Sequence, residues 1–222
     1  LYSLASRGAR VLGIDRYHPP HDKGSSHGQS RIIRQAYFEH PDYVPLLREA
    51  YQGWFDLEEQ TGQTLLHQVG LLQVGPADGF LVPGVLASAE THRLPLERVS
   101  GGEIQKRFPG FWAEDEMVGL FEKQAGYLLV EEAIGTYLEH AQRAGGEFRV
   151  LTEPACWQSD GAGVRVECSG EVFFADSLVI ATGSWSSRLI AGLGIELQVL
   201  RKHVHWLAND SAKYREGSPV FF

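Results

Sequence analysis

Apolar positions recur three or four residues apart in several stretches of the chain, which is the spacing of an amphipathic helix. The longest stretch covers residues 41–62 and ends at Gly62, where a helix can terminate in left-handed backbone angles. Its predicted core stripe comprises Tyr43, Leu46, Leu47, Ala50, Tyr51, Trp54, Phe55 and Leu57. Further helices are predicted for residues 1–8, 80–92, 100–108 and 130–144.

Short apolar runs between these helices predict strands. One run, residues 10–15, ends in Asp15 and is typical of a buried parallel strand. After residue 146 the pattern changes to short β-rich runs, with hairpin turn signals at residues 160–161 and 169–170. The other predicted strands cover residues 65–75 with a bend at Gly70, and residues 117–121, 147–152, 164–168, 172–174 and 177–180.

The position of Asp15 predicts a nucleotide-binding sheet. In dinucleotide folds, the acid that closes the second strand binds the adenosine ribose, about 20 residues after a glycine-rich turn. Counting back places that turn before Leu1, and no Gly-x-Gly-x-x-Gly occurs in the chain. We therefore expect the chain to begin inside a βαβ unit. The small residues 181–183 fit a later strand that returns beside the nucleotide.

Composition and charge exclude several classes of function. The chain has 222 residues, is 43% hydrophobic and carries a formal net charge of −8, which argues against a nucleic-acid binder. No apolar run approaches the length of a membrane span, and no signal peptide pattern opens the chain. Cys156 and Cys168 are too few for a disulfide framework, so we expect a reducing compartment and two packing thiols.

The segment from Gly24 to Tyr37 concentrates the polar chemistry of the chain. It holds two glycines, three serines, one histidine and two arginines between ordinary structural segments. If the segment is helical, Arg31 and Arg34 share one face, where two guanidinium groups can bind a carboxylate or a phosphate. Neighbouring cations repel one another, so the pair predicts an anion site.

Two other patterns carry less weight. His203 and His205 would share a face of a strand, but no carboxylate or thiol partner lies nearby in sequence, so we expect no metal site. Ser25, Ser26 and His27 have the residue types of a hydrolase. Adjacent loop residues rarely point at one another, and the chain has no Gly-x-Ser-x-Gly elbow, so we reject that interpretation.

The chain resembles the sarcosine oxidase family of flavoproteins, which includes N-methyltryptophan oxidase and pipecolate oxidase. The resemblance extends over nearly the whole chain. It rests on Ile14-Asp15-Arg16, Pro19-Pro20-His21, the run from Gly24 to Arg34, Ala36-Tyr37, Gly70-Leu71-Leu72 with Gly75, Arg107-Phe108-Pro109, and Ala181-Thr182-Gly183 with Trp185.

The resemblance implies FAD as cofactor and oxidation of a secondary or N-methyl amino acid to an imine, with oxygen reduced to hydrogen peroxide. Arg34 matches the arginine that binds the substrate carboxylate. Arg31 would stabilise the negative charge of reduced flavin and so take part in catalysis. The other implied cofactor-binding residues are Asp15 and Arg16 at the ribose, Ser25 and Ser30 in the loop, Cys156 through its backbone, and Gly183 and Trp185 in the later turn.

The resemblance also implies an α/β fold with two incomplete domains. Residues 1–64 and 145–195 would form a discontinuous Rossmann-type FAD-binding domain. Residues 65–144 and 196–222 would form a mainly antiparallel substrate domain. The implied partners are a small amino acid and oxygen, with neither nucleic acid nor a membrane. A monomer is compatible with the sequence, but the oligomeric state is open, and the expected location is the cytoplasm, or the peroxisome in a eukaryote.

Three alternatives remain open in the sequence. His27 could accept the proton of the amine as a catalytic residue, although its loop of hydroxyl partners favours an orienting role. The protein could be a flavin amine dehydrogenase that uses another electron acceptor. It could also be a non-catalytic fragment of this fold, and we expect the isolated chain to be inactive.

Overall fold

The computed structural model describes residues 1–153, 155–203, 205–214 and 217–222. Its helices are α1 (Tyr2–Ala5), α2 (Tyr43–Thr61), α3 (Leu81–His92), α4 (Gly101–Arg107), α5 (Val130–Arg143) and α6 (Ser186–Leu189). Its strands are β1 (Leu12–Asp15), β2 (Arg31–Ile33), β3 (Leu66–His67), β4 (Leu71–Pro76), β5 (Glu97–Ser100), β6 (Met117–Glu122), β7 (Gly126–Leu128), β8 (Glu147–Val150), β9 (Cys156–Ser159), β10 (Val164–Cys168), β11 (Glu171–Ala175) and β12 (Val220–Phe221). No helix in these four ranges is long and apolar enough to cross a membrane.

The described strands form four sheets. β1 and β8 pair in parallel, and β9, β10 and β11 form an antiparallel meander with β10 in the centre. β7 lies between β2 and β3 and is antiparallel to both. The largest sheet has the order β12-β4-β6-β5, in which β12 is parallel to β4 and the other pairs are antiparallel.

The chain divides into two compact units. The first contains Leu1–Gln29 with Val130–His205, and the second contains Ser30–Leu129 with Trp206–Phe222. These bounds differ from the predicted domains, which assign residues 30–64 to the first and residues 130–144 and 196–205 to the second. Strand pairing explains part of the difference, because β2 pairs with β7 and so belongs to the second unit. Helix α5 belongs to the first because it packs on α1 and leads into β8.

The first unit is built around the parallel pair of β1 and β8. Asp15 ends β1 opposite Val150, so the carboxylate lies at the carboxyl end of a parallel strand, as predicted. Gly13 lies close to β8, because a Cβ there would make a tight contact of 3.2 Å with a ring carbon of Phe148. Tyr2 of α1 packs against Tyr137 of α5 with ring centroids 4.9 Å apart.

Helices cover both faces of the largest sheet of the second unit. Side chains alternate along each strand, so neighbouring residues of one strand pack on opposite faces. Leu120 of β6 packs in one cluster with residues of α3, and the next residue, Phe121, packs in the other cluster with Ile104 of α4. The buried residues of the first cluster are Ala36, Leu81, Val82, Val85, Val118 and Leu120, and those of the second are Leu72, Val99, Ile104 and Phe121.

Most of the predicted elements are confirmed. Helices α2 to α5 lie within the predicted ranges, and Gly62 follows α2 with left-handed angles. Ser100 and Glu103 form the predicted capping box at the start of α4. The turns after β9 and β10 also lie at the predicted positions, with positive φ at Gly161, Ser169 and Gly170.

Arg31 and Arg34 do not share a helical face. Residues 31–33 form β2 and pair with Leu128, Tyr127 and Gly126, so the segment is extended. Side chains three apart on an extended chain point to opposite sides. The condition for one shared helical face is therefore not met, and the two arginines are presented separately.

Part of the predicted core stripe of α2 is also wrong. The buried residues of this helix are Val44, Tyr51 and Leu57, whereas Leu46 is 62% exposed and Tyr43 is 49% exposed. The apolar residues of α2 span more of its circumference than one packing face covers, and spacing alone does not decide which of them are buried.

Several strand assignments differ from the prediction, which also lacks β2, β7, β9 and β12. Residues 177–180 form no strand in the part of the chain that the structure describes. A strand requires a partner with a free edge, and an apolar run does not reveal whether one exists. Conversely, β5 is a strand through its pairing with β6, although Glu97–Ser100 has only one apolar residue.

Candidate functional site

Asp15 presents a fixed carboxylate in the first unit. Its Oδ1 accepts a hydrogen bond from the backbone N–H of Tyr17 at 3.0 Å, and its Oδ2 lies 3.5 Å from Nε2 of His21. The Asp15 side chain is 40% exposed, so both oxygens can accept further hydrogen bonds. An accessible acid at the end of a parallel strand fits the adenosine ribose of a dinucleotide.

The loop after β1 is polar and mostly exposed. Arg16 is exposed, with its guanidinium carbon 5.8 Å from the centroid of the Tyr17 ring. Ser25 is exposed and His27 is half-buried. The hydrogen bond and charge of Lys23 lower the pKa of Asp22, with a smaller contribution from His27, so His27 lies close enough to this acid to affect its charge.

Gly28 connects this loop to a helix of the same unit. Its backbone has a φ of 87°, which favours glycine, and its N–H donates to Oε1 of Glu131 at 2.8 Å. Glu131 lies in the first turn of α5. The contact joins two segments that are 103 residues apart in sequence.

The remaining candidate residues of the first unit lie on its later segments. Cys156 is exposed in β9, and Gly183 begins an exposed 3-10 turn that ends at Trp185. A hydrogen bond of 2.7 Å from Nε1 of Trp157 to the carbonyl of Leu189 joins β9 to α6, the helix that follows this turn. The structure therefore holds the β9 and Gly183 segments in one region of the unit.

Ser30 and Arg31 lie at the start of the second unit. Arg31 is the first residue of β2 and pairs with Leu128. Its Nη1 donates to the carbonyl of Ser30 at 2.9 Å. Ser30 is exposed and Arg31 is half-buried, so the guanidinium is bent back toward its own backbone while it remains partly accessible.

Arg34 is a buried cation surrounded by aromatic rings. The residue is 9% exposed, and its guanidinium carbon lies 4.1 Å from the ring centroid of Tyr37, 5.5 Å from Phe38 and 5.4 Å from Phe222. Its Nη2 lies 3.3 and 3.4 Å from the two carboxylate oxygens of Glu39. Among the described residues, its buried Nε has no hydrogen-bond partner. The guanidinium can therefore bind a second anion through this free donor.

Glu122 is the buried acid beside this arginine. It is 2% exposed, and its carboxylate accepts the N–H of Gln35 at 2.7 Å and that of Ala36 at 3.1 Å. Burial raises the pKa of Glu122, whereas the two N–H groups and the charge of Arg34 act in the opposite direction. The carboxylate thus fixes the backbone that follows Arg34 and supplies an opposite charge.

Sequence reasoning missed three of these residues: His21, Glu39 and Glu122. Glu122 had a detectable signal, since alternation along β6 places it on the same face as the buried Leu120. His21 stands in the Pro19-Pro20-His21 motif of the resemblance but was given no role, and Glu39 had no signal, because its contact with Arg34 depends on the path of the chain between them.

The candidate residues are distributed over both units. Those of the first unit are Asp15, Arg16, Ser25, His27, Cys156, Gly183 and Trp185, and those of the second unit are Ser30, Arg31 and Arg34.

Comparison with known proteins identifies similar chains. Monomeric sarcosine oxidase from Streptomyces avermitilis is 38% identical over 205 residues, which cover 92% of this chain and 53% of that protein. N-methyl-L-tryptophan oxidase from Yersinia pestis is 33% identical over 222 residues, 99% of this chain and 59% of that protein. This chain thus spans little more than half the length of these curated relatives.

Solved structures and a family model agree with these relatives. NikD, an unusual amino acid oxidase essential for nikkomycin biosynthesis, matches with a TM-score of 0.74 and 26% identity over 87% of this chain and 50% of its own. The predicted α/β fold and the resemblance to sarcosine oxidases are confirmed. The family model described as FAD dependent oxidoreductase matches residues 1–221. The chain therefore belongs to the FAD dependent oxidoreductase family.

Proposed function

We propose that the protein containing this chain oxidises the C–N bond of a secondary or N-methyl amino acid to an imine. The proposed electron acceptor is oxygen, which is reduced to hydrogen peroxide. The curated relatives named above, an oxidase of sarcosine and an oxidase of N-methyl-L-tryptophan, support this reaction class. Within the chain itself, the environment of Arg34 carries the proposal.

Arg34 has the properties of a carboxylate-binding residue. A guanidinium can donate two parallel hydrogen bonds to a carboxylate, which fixes the orientation of the acid as well as its position. The Nε of Arg34 is unpaired among the described residues, and Glu39 holds Nη2 only at long distances of 3.3 and 3.4 Å. A substrate carboxylate could replace Glu39 and also pair with Nε. The rings of Tyr37 and Phe38 limit how the guanidinium can rotate.

The described residues of the first unit fit the adenosine end of FAD. Asp15 would accept hydrogen bonds from the ribose, with Arg16 beside it, and Ser25 would line the cofactor from the loop. The backbone of Cys156 and the turn from Gly183 to Trp185 would complete this end. When bound, FAD supplies the two-electron chemistry, in which the amine loses two electrons and two protons and oxygen takes up the same number of each.

Two residues have roles close to the reacting atoms in this proposal. Arg31, held by Ser30, would place a positive charge that stabilises electron transfer to the flavin. His27 would orient the loop or accept the proton that the amine must lose before oxidation. The proposal thus assigns the ribose contact to Asp15 of the first unit, and the carboxylate contact to Arg34 of the second, whereas Ser30 and Arg31 of the second unit also act on the cofactor.

A substitution at Arg34 tests this proposal. In the full-length protein, R34A should weaken binding of the amino acid on the order of 100-fold, because truncating one partner of a buried charge pair removes several kcal/mol. FAD content, measured by absorbance, should remain unchanged. Peroxide release with sarcosine, pipecolate and N-methyltryptophan as substrates measures the reaction.

The control is R98A, which removes an exposed arginine of β5 in the same unit. It should match the wild type in every assay. Equal losses of amino acid and FAD binding in R34A would contradict the role given to Arg34. An FAD-loaded wild-type protein that reduces an artificial acceptor but releases no peroxide would instead be a dehydrogenase.

A further inference from the structure

A histidine beside the proposed ribose acceptor carries the next inference. Nε2 of His21 lies 3.5 Å from Oδ2 of Asp15, which is ion-pair distance and slightly longer than an ordinary N–H···O hydrogen bond. Its side chain is 22% exposed, and its ring packs edge-on against Tyr17 with centroids 5.3 Å apart. The contact with Asp15 and the contact with the Tyr17 ring therefore both position the imidazole.

The hydrogen bond at Nδ1, the other nitrogen of the His21 ring, determines which of the two nitrogens carries the proton. Nδ1 of His21 accepts a hydrogen bond from the backbone N–H of Lys23 at 3.2 Å. A nitrogen that accepts must have a free lone pair, so the proton of the neutral ring is on Nε2. Nε2–H then faces the carboxylate of Asp15 as a donor.

We propose that His21 is a positioning residue that holds Asp15 ready for the adenosine ribose of FAD. This inference rests on the proposed function, since it gives His21 a role through Asp15. The backbone N–H of Tyr17 donates to Oδ1, and Nε2 of His21 faces Oδ2 at 3.5 Å, so a small approach of the ring on ligand binding brings its N–H within hydrogen-bond distance. Two donors define the plane of the carboxylate, and each oxygen keeps a lone pair for a ribose hydroxyl. An acceptor that is already oriented loses less entropy when the ligand binds.

Ligand binding tests this role without measuring catalysis. The probes are FAD, followed by quenching of its fluorescence, and ADP, which carries the same ribose without a flavin, each titrated into full-length protein purified without flavin. H21A should bind both about three- to tenfold more weakly, the range expected for one net hydrogen bond. H21Q keeps a side-chain N–H donor of similar reach and should restore most of the affinity.

H18A is the matched control. His18 is an exposed histidine of the same loop, and its ring lies 6.0 Å from that of Phe148, away from the carboxylate contact. Its affinity for both probes should equal that of the wild type. Wild-type affinity in H21A, or an equal loss in H21A and H21Q, would overturn the role of His21 as a donor to Asp15.

Nitrogen-15 NMR of the imidazole provides an independent readout. The wild type should show a protonated Nε2 and an unprotonated Nδ1 at a pH where the ring is neutral, and the reverse tautomer would overturn the inference. If the wild-type protein bound neither FAD nor ADP, the proposed function itself would fail. Wild-type binding that depends on Asp15 but not on His21 would overturn the positioning role alone.

Discussion

At the scale of single residues, the most informative pair is a buried arginine and a buried acid with different partners. Arg34 is surrounded by rings and is only loosely paired with Glu39, whereas Glu122 receives two short backbone hydrogen bonds. A buried charge is tolerated when its hydrogen-bonding capacity is used. Glu122 therefore has a structural role, and Arg34 retains capacity for a ligand.

The burial of Glu122 predicts a particular pH dependence of stability. Burial raises its pKa in the folded protein, so the folded state holds the proton more tightly than the unfolded state. The resulting stability is complete below the unfolded pKa and is lost as pH rises through the folded pKa. Relative to E122Q, the wild type should therefore lose free energy of unfolding as pH rises above about 4.3, the ordinary pKa of a glutamate.

Urea denaturation across that pH range measures this difference. E116Q, which changes an exposed acid just before β6, should show the pH dependence of the wild type. E122A should be less stable than the wild type by about 2–4 kcal/mol, because two backbone N–H groups lose their acceptor. If the stability of the wild type relative to E122Q rose with pH, Arg34 and the two N–H groups would outweigh burial.

At the scale of elements, close packing rather than helix propensity decides which glycines can be replaced. Helix α3 contains Gly84, and a Cβ at this position would collide with the backbone of Phe38, including its carbonyl oxygen. Helix α2 contains Gly53, where an added Cβ would meet no described atom within 4 Å. Both helices belong to the second unit, so the two glycines form a matched pair.

The same substitution should therefore have opposite effects at these two glycines. G84A should destabilise the protein by about 2–3 kcal/mol, because the backbone after Arg34 must shift to admit the methyl group. G53A should stabilise it by about 0.5–1 kcal/mol, because alanine loses less backbone entropy in a helix. Thermal or urea unfolding measures both. Equal effects of the two substitutions would contradict the packing of Phe38 against α3.

At the scale of the whole molecule, the proposed functions are divided between the two units. Asp15 lies in the first unit and Arg34 in the second. Because Asp15 is proposed to bind FAD and Arg34 to bind the amino acid, single substitutions at these two residues should separate the two affinities.

D15N should show the pattern opposite to that of R34A. Loss of the carboxylate charge should weaken FAD binding about tenfold or more, which is the range for hydrogen bonds to a charged group. The affinity for the amino acid, measured in the FAD-loaded protein, should remain unchanged. D176N, which alters an exposed acid just after β11, is the control. A loss of amino acid affinity equal to the loss of FAD affinity would contradict the division of roles.

The sequence predicted the local elements well because the signals that define them are short. Helical spacing located α2 to α5, and the Ser100–Glu103 capping box and Gly62 marked helix ends within a few residues. The run of residues 24–37, together with shorter motifs along the chain, indicated the family. The resemblance also singled out Arg34, which the structure shows to be buried beside an aromatic cluster.

The sequence did not predict which segments pair or which charges are buried. The contact between Glu122 and Gln35 spans 87 residues of sequence. Strand β2 likewise forms only by pairing with β7, which lies near the far end of the sequence segment 30–129. These contacts also determine the bounds of the two units. Local spacing could not reveal them, because pairing and burial depend on which distant segment covers each residue.

The sequence by itself thus determined the helices, the first parallel strand, the family and the chemical types available to the site. Only the tertiary structure decided that residues 31–33 form a strand rather than a helix, that Glu122 holds the backbone after Arg34, and that His21 lies beside Asp15. The physical reason is range: propensities and turn residues act over a few positions, whereas burial and hydrogen bonding between distant segments exist only once the chain has folded.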